Sequence, residues 1–394
     1  MSILRLSCKG SNIFVPEKDG ALVGATFSKQ SGTGYLGEFA RPEDDAEAAK
    51  ALNTARRALG DAYDAQLNRA IAKLPPNAPV VIMTHGFLFD PTATVFPNPK
   101  DNDNPHGRIF HFKDMGFDEE AREHSTSWPL QLGFGENDQG AKGLVFALGW
   151  YSRPGMAKSL REGYMNHYTR AYDYGRESAW ILACVIAYLA KALGKRPIDI
   201  VCHSLGSVLV VRALAILSKS TIAADCLSRV GRVVIMGGSE YTGEAQLLYR
   251  RMTEYAASAP LKSGEGPQVY NIVSRENDVL DFLAENFGPK SFFSNTQVIG
   301  HNGLEASPKA PRWLDLQIDS RKLRLWAASK GYQISGDEPG HVWDHWYYYT
   351  FRGNMAFYNA ILRQRDAFSH EALRAGSASS EPVPEGVGVG RFGD

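Results

Sequence analysis

The stretch Ile198-Asp199-Ile200-Val201-Cys202-His203-Ser204-Leu205-Gly206-Ser207-Val208-Leu209-Val210-Val211 decides the reading of this chain. Its opening residues form a short apolar run of the kind buried in a sheet. The run beginning at Ser207 has the small and aliphatic residues of a helix packed on that sheet. Between the two, Cys202-His203-Ser204-Leu205-Gly206 leaves a serine on a sharp strand-to-helix turn. In such a turn the serine backbone is strained, so the residues two before and two after it must be small. Gly206 meets that demand fully and Cys202 in part, which makes Ser204 the candidate nucleophile.

The same alternation continues outward. Pro79-Val80-Val81-Ile82-Met83-Thr84 and Leu144-Val145-Phe146-Ala147-Leu148 are continuous apolar runs, expected for strands covered on both faces. A helix is expected over residues 176–193, then the strand ending at Ser204 and its helix to about 218. Next come a strand over 232–236 ending at Gly237-Gly238, a helix over 244–257 and a strand over 268–273. Strands alternating with helices imply a mostly parallel central sheet with helices on both faces, an α/β fold. Residues 3–7 and 21–27 are strand-like, and a helical stretch runs from about 42 to 73 before Pro75-Pro76 stops it. Residues 290–340 mix short strands with loops, and a closing helix is expected over 355–363.

Three regions follow. Residues 1–77 hold the N-terminal strands and long helix, and residues 78–365 form the core, interrupted by an insertion at about 88–142. Residues 366–394 form a Ser-, Gly- and Pro-rich tail expected to be disordered. The insertion is rich in Pro, Asn, Asp, Gly, His and Phe and is expected to act as a lid or pocket wall.

Composition excludes several classes. The 43 basic and 43 acidic residues of this 394-residue chain cancel, so no electrostatic case for nucleic acid arises. Cys8, Cys184, Cys202 and Cys226 are scattered without metal-ligand spacing, which points to reduced, buried thiols. The start lacks the pattern of a secretory signal, and the longest apolar run, at 179–190, is shorter than the roughly 20 residues a membrane span needs, so a cytoplasmic protein is expected. His106, His111 and His124, with nearby Asp114, Asp118, Glu119 and Glu120, match no ligand motif, so neither a metal nor another cofactor is expected. The oligomeric state is not legible here.

A serine hydroxyl is a poor nucleophile near neutrality, so acyl transfer needs a base and a carboxylate to orient it. Asp278, about five residues beyond a strand end, is the first choice of acid, with Glu276 and Asp281 as competitors. In Gly340-His341-Val342-Trp343-Asp344-His345-Trp346-Tyr347 the base is expected to be His345, with His341 second. Both could instead fill an aromatic cluster with Trp343, Trp346 and Tyr347 to Tyr349. The backbone amides of Phe87 and Leu205 are the expected oxyanion donors, because Thr84-His85-Gly86-Phe87 follows a strand and Gly86 lets the backbone turn inward. His85, Leu88, Trp150 and Tyr151 are expected at the substrate pocket, His85 also as a brace for its loop.

Through His85-Gly86, the Cys202-His203-Ser204-Leu205-Gly206 turn and the order Ser204, Asp278, His345, the chain resembles the α/β-hydrolase superfamily over roughly residues 78–363. Gly149-Trp150-Tyr151-Ser152 adds a likeness to a bacterial serine-esterase branch, lipase-like in character. That resemblance implies an eight-stranded, mostly parallel sheet and hydrolysis of a small-molecule carboxylic ester through an acyl-enzyme. An acyltransferase, thioesterase or amidase with the same triad, or a non-catalytic binding member of the fold, are the alternatives.

Overall fold

The computed structural model describes residues 3–14, 35–38, 41, 45–93, 103–112, 127–135, 142–164, 166–219, 224–258, 266–275, 297–304, 312–336 and 345–377. Among them are strands β1 (Ile3–Lys9), β2 (Asn12–Phe14), β3 (Tyr35–Glu38), β4 (Val80–Thr84), β5 (Leu144–Trp150), β6 (Ile198–His203), β7 (Val230–Met236), β8 (Gln268–Val273) and β9 (Trp313–Gln317). They form one sheet in the order β3-β2-β1-β5-β4-β6-β7-β8-β9. From β1 to β9 every neighbour is parallel, while β2 and β3 extend the β1 edge antiparallel. The α/β class and the mostly parallel sheet expected from the sequence are therefore present.

The helices are α1 (Asp45–Ile71), α2 (Pro105–Arg108), α3 (Trp128–Gln131), α4 (Met156–Arg161), α5 (His167–Leu193), α6 (Gly206–Lys219), α7 (Ala224–Ser228) and α8 (Thr242–Ser258), followed by helices Arg321–Ser329, Arg352–Arg363 and His370–Ser377. The continuous apolar runs are explained by the sheet having two covered faces. In β4, Val80 and Ile82 enter the core shared with α1, α5, α6 and α8, while Val81 and Met83 enter a second core with the helix Arg352–Arg363. Alternate side chains of one strand thus feed both layers, which removes the polar-out positions an edge-exposed strand would show.

The N-terminal strands belong to this same sheet: Leu4, Leu6 and Cys8 of β1 lie in the core that α5 covers, and the Tyr63 hydroxyl of α1 donates to the Arg5 carbonyl at 2.5 Å. Helix α5 begins at residue 167, well before the expected 176. Its start is fixed by Asn166, whose side chain accepts from the Thr169 amide at 2.8 Å, and its first turns bury Tyr168, Tyr172 and Tyr174. Aromatic and charged residues hid this apolar stripe from a reading based on aliphatic periodicity.

One expectation needs correction. Residues 366–377 are not a disordered tail: Phe368 and Leu373 are buried and the helix His370–Ser377 closes over β9 and its neighbours, since the Arg374 guanidinium donates to the Trp313 carbonyl at 2.8 Å. Residues 378–394 lie outside the described ones. The described parts of the insertion are packed into the fold. Ile109, Phe110, Trp128, Leu132 and Phe134 are all buried in the second core, and the Ser127 hydroxyl caps α3 while also donating to the His111 carbonyl. Buried aromatic area of this kind ties a loop down.

The cysteines are free and buried, as expected. Among the described residues no helix is long and apolar enough to cross a membrane. His106 bonds Ser7 Oγ at 3.1 Å through Nε2 and His111 bonds the Arg108 carbonyl at 3.0 Å, so both serve local structure, while His124 lies outside the described residues.

Candidate active site

Strand β6 ends at His203 in the middle of the sheet, between β4 and β7, and the chain then turns into α6 at Gly206. Ser204 occupies that turn with φ 51°, in the left-handed region that L-residues avoid at a cost of about 1–2 kcal/mol. Backbone bonds hold it there: the Ser204 amide donates to the Met236 carbonyl at 2.9 Å, and the Ser239 and Ser207 amides donate to the Ser204 carbonyl at 3.1 and 2.9 Å. Strain persists at a site only when its surroundings over-determine it, and here strand β7 and helix α6 both do so.

The loop after β4 presses directly on this turn. A Cβ on Gly86 would sit 2.8 Å from Ser204 Cβ, and one on Gly206 would sit 2.5 Å from the His85 carbonyl oxygen. Gly206 is therefore demanded by the end of β4, rather than by a clash with Cys202 as the sequence pattern suggests. Cys202 points into the α5–α6 core, fully buried, where desolvation pushes its thiol up and leaves it inert.

The close approach sets Gly86 against Ser204 and His85 against Gly206. Among the described residues neither the Phe87 nor the Leu205 amide donates to a backbone carbonyl. The Phe87 ring stacks on His167 at 5.4 Å and meets Tyr168 edge-on at 5.3 Å, so its backbone is anchored to the start of α5.

His85 and Trp150 are both fully buried and are bonded twice: the Trp150 amide donates to His85 Nε2 at 3.0 Å, and the Trp150 indole donates to the His85 carbonyl at 2.8 Å. His85 Nδ1 donates to the Gly86 carbonyl at 2.9 Å, which fixes its tautomer, and burial pushes its pKa down to about 3. This neutral ring braces the loop. Tyr151 is 8 % exposed, packed edge-on against Tyr174 with Lys9 Nζ 4.0 Å from its ring centroid. Leu88, by contrast, is 47 % exposed at the mouth of the loop.

Of the predicted triad, Ser204 and His345 are described; Asp278, its competitors Glu276 and Asp281, and His341 lie outside the described residues. His345 is buried, its ring centroid 4.5 Å from that of His203, the residue just before the nucleophile. His203 Nε2 donates to the His345 carbonyl at 3.1 Å, which staples the 345–350 segment to the end of β6. Burial holds His203 down to about 4 and His345 well below the usual histidine value, so both rings are neutral near pH 7. The aromatic cluster weighed in the sequence exists as well, because Tyr348 and Tyr349 also pack on His203. The Ser204 hydroxyl is bonded to Ser239 Oγ at 3.1 Å rather than to His345.

Sequence reasoning missed the polar residues after β7. Ser239 and Glu240 follow the Gly237-Gly238 strand end, and that glycine pair was the available signal. Glu240 is fully buried, accepts from the Tyr172 hydroxyl at 2.5 Å and the Tyr241 amide at 3.0 Å, and pairs with Arg212 Nε at 3.2 Å. The Glu240 amide donates to Ser207 Oγ at 2.9 Å. This carboxylate thus clamps α5, α6 and the post-β7 turn together behind the serine, at the cost of desolvation that raises its pKa.

No protein-family model and no curated protein matches the chain.

Proposed function

We propose that the protein is a serine hydrolase of the α/β-hydrolase type that cleaves carboxylic esters through an acyl-enzyme on Ser204. The observation that carries the reading is the left-handed Ser204 at the end of a central parallel strand, pressed beneath the Gly86 turn. In such a turn the strain costs stability and sets the serine Oγ at the carboxyl end of the sheet, where the Phe87 and Leu205 amides are the proposed donors. The crossed order β5-β4-β6-β7, which puts the loop after β4 next to the nucleophile strand, supports the same fold type.

In this mechanism Ser204 Oγ attacks the ester carbonyl, its proton passes to His345, and the Phe87 and Leu205 amides receive the developing oxyanion. The neutral state of His345 suits a base, and its position one ring away from His203 supports its choice. Asp278, five residues past the end of β8 in the sequence, is the carboxylate that orients the imidazole. His345 returns the proton to the leaving alcohol, and water then releases the acyl group by the same steps reversed.

A fluorophosphonate probe tests this reading. Wild type should become labelled and Ser204→Ala should not, while Asp278→Asn and His345→Gln should slow labelling roughly 10²–10⁴-fold with an unchanged circular dichroism spectrum. An unlabelled wild type would sink the mechanism. Full-rate labelling of His345→Gln would move the base to His341.

A further inference from the structure

Ser239 presents a second hydroxyl to the nucleophile. The Ser239 amide donates to the Ser204 carbonyl at 3.1 Å, and Ser239 Oγ lies 3.1 Å from Ser204 Oγ. Ser204 and Ser239 are 4 % and 2 % exposed, so water competes poorly for either hydroxyl.

The two hydroxyls share one bond whose donor can be either oxygen. In the proposed reaction Ser204 gives its own proton to the base, so in that arrangement Ser239 is the donor and Ser204 Oγ the acceptor.

We infer that Ser239 is a further catalytic residue, donating a hydrogen bond to Ser204 Oγ while that oxygen loses its proton. The inference deepens the reading of Ser204 as nucleophile and rests on it. As the Oγ–carbon bond forms, the Ser204 proton moves to His345 and the carbonyl electron pair moves to the oxyanion. Ser239 transfers nothing. Its donor is strongest when Ser204 Oγ carries alkoxide character, both in attack and when the same oxygen departs during deacylation.

The test is the second-order rate of fluorophosphonate labelling measured from pH 5.5 to 9.5. Ser239→Ala should label roughly tenfold to a hundredfold more slowly, as expected for loss of a hydrogen bond to a developing charge. The pH midpoint of its labelling should also move upward, because the donor favours the deprotonated oxygen. Ser239→Thr retains the hydroxyl and should recover most of the rate. The thermal melting point of both variants should stay near that of wild type. A wild-type rate and midpoint in Ser239→Ala would overturn the inference while leaving Ser204 as nucleophile. Slow labelling in Ser239→Ala that Thr does not restore would also overturn it, since that pattern reports packing. Absence of labelling in wild type would instead remove the underlying mechanism, and the inference with it.

Discussion

Ser204 and Leu88 are the two non-glycine residues with a left-handed backbone among the described residues, at φ 51° and 72°, and they are held in opposite ways. Ser204 is 4 % exposed and enclosed by β7, α6 and the Gly86 turn. Leu88 is 47 % exposed, and its conformation is set by backbone stitching alone: its amide donates to the Ser152 carbonyl at 3.2 Å, and the Phe89 amide donates to Ser152 Oγ at 3.0 Å. The strain at Ser204 is imposed by packing that a neighbouring side chain would disrupt. The strain at Leu88 belongs to one loop, so relieving it should disturb little else.

The sharpest way to break the contrast is to fill the space around Ser204. In Gly206→Ala the new Cβ would meet the His85 carbonyl oxygen at 2.5 Å, and a carbonyl at the end of a central strand cannot swing aside as a flexible side chain would. A loss of about 3 kcal/mol in urea denaturation is expected, with fluorophosphonate labelling abolished because the turn and the loop after β4 must separate. Gly243→Ala is the control, since nothing lies within 4 Å of its Cβ and stability should hold. Equal stability of the two variants would show that the close approach is not rigid.

Acid should be the next largest effect. His85 and His203 are neutral in the fold, with burial pushing their pKa values from 6.5 to about 3 and about 4. Because the folded values are depressed, the unfolded chain binds protons that the fold refuses once the pH drops below about 6.5. The stabilisation is complete above that value and declines as pH falls toward the folded values. Each histidine should contribute a decline of about 1.4 kcal/mol per pH unit, so about 2 kcal/mol each between pH 6.5 and 5.0. Denaturation series at those two pH values check the slope, and His203→Gln should remove about 2 kcal/mol of the decline, the rest coming from the other buried histidines His85, His106 and His345. A slope unchanged by that substitution would mean His203 is protonated in the folded state.

The same two loops show how much of the site was legible beforehand. Strand β8 was readable to the residue and β4 to within one, because central parallel strands are buried on both faces and announce themselves as unbroken apolar runs. The turn at Ser204 was readable because a strand, a small-residue turn and an aliphatic helix leave few alternatives. His85 was readable as a brace of its loop, but its partner Trp150 was not, because the two are joined by hydrogen bonds that no local pattern encodes. Ser239 and Glu240 were missed for a related reason. Their partners come from α5 and α6 and from the end of β6, and that meeting depends on sheet order rather than on spacing along the chain.

The smallest effect sharpens the comparison most, because it separates strain from packing. Replacing a left-handed residue by glycine removes the Cβ penalty, worth about 1–2 kcal/mol when nothing else changes. Leu88→Gly sheds an exposed side chain and should raise stability by about 1 kcal/mol, with labelling of Ser204 close to the wild-type rate. At the turn the appropriate reference is Ser204→Ala, which loses the bond to Ser239 but keeps the Cβ and hence the strain. Ser204→Gly should exceed Ser204→Ala by about 1 kcal/mol in urea denaturation, both being unlabelled. If glycine and alanine were equally stable at residue 204, the φ of 51° would carry no energetic penalty there. The serine would then owe its position to the surrounding packing alone, and the two left-handed residues would differ in packing but not in strain.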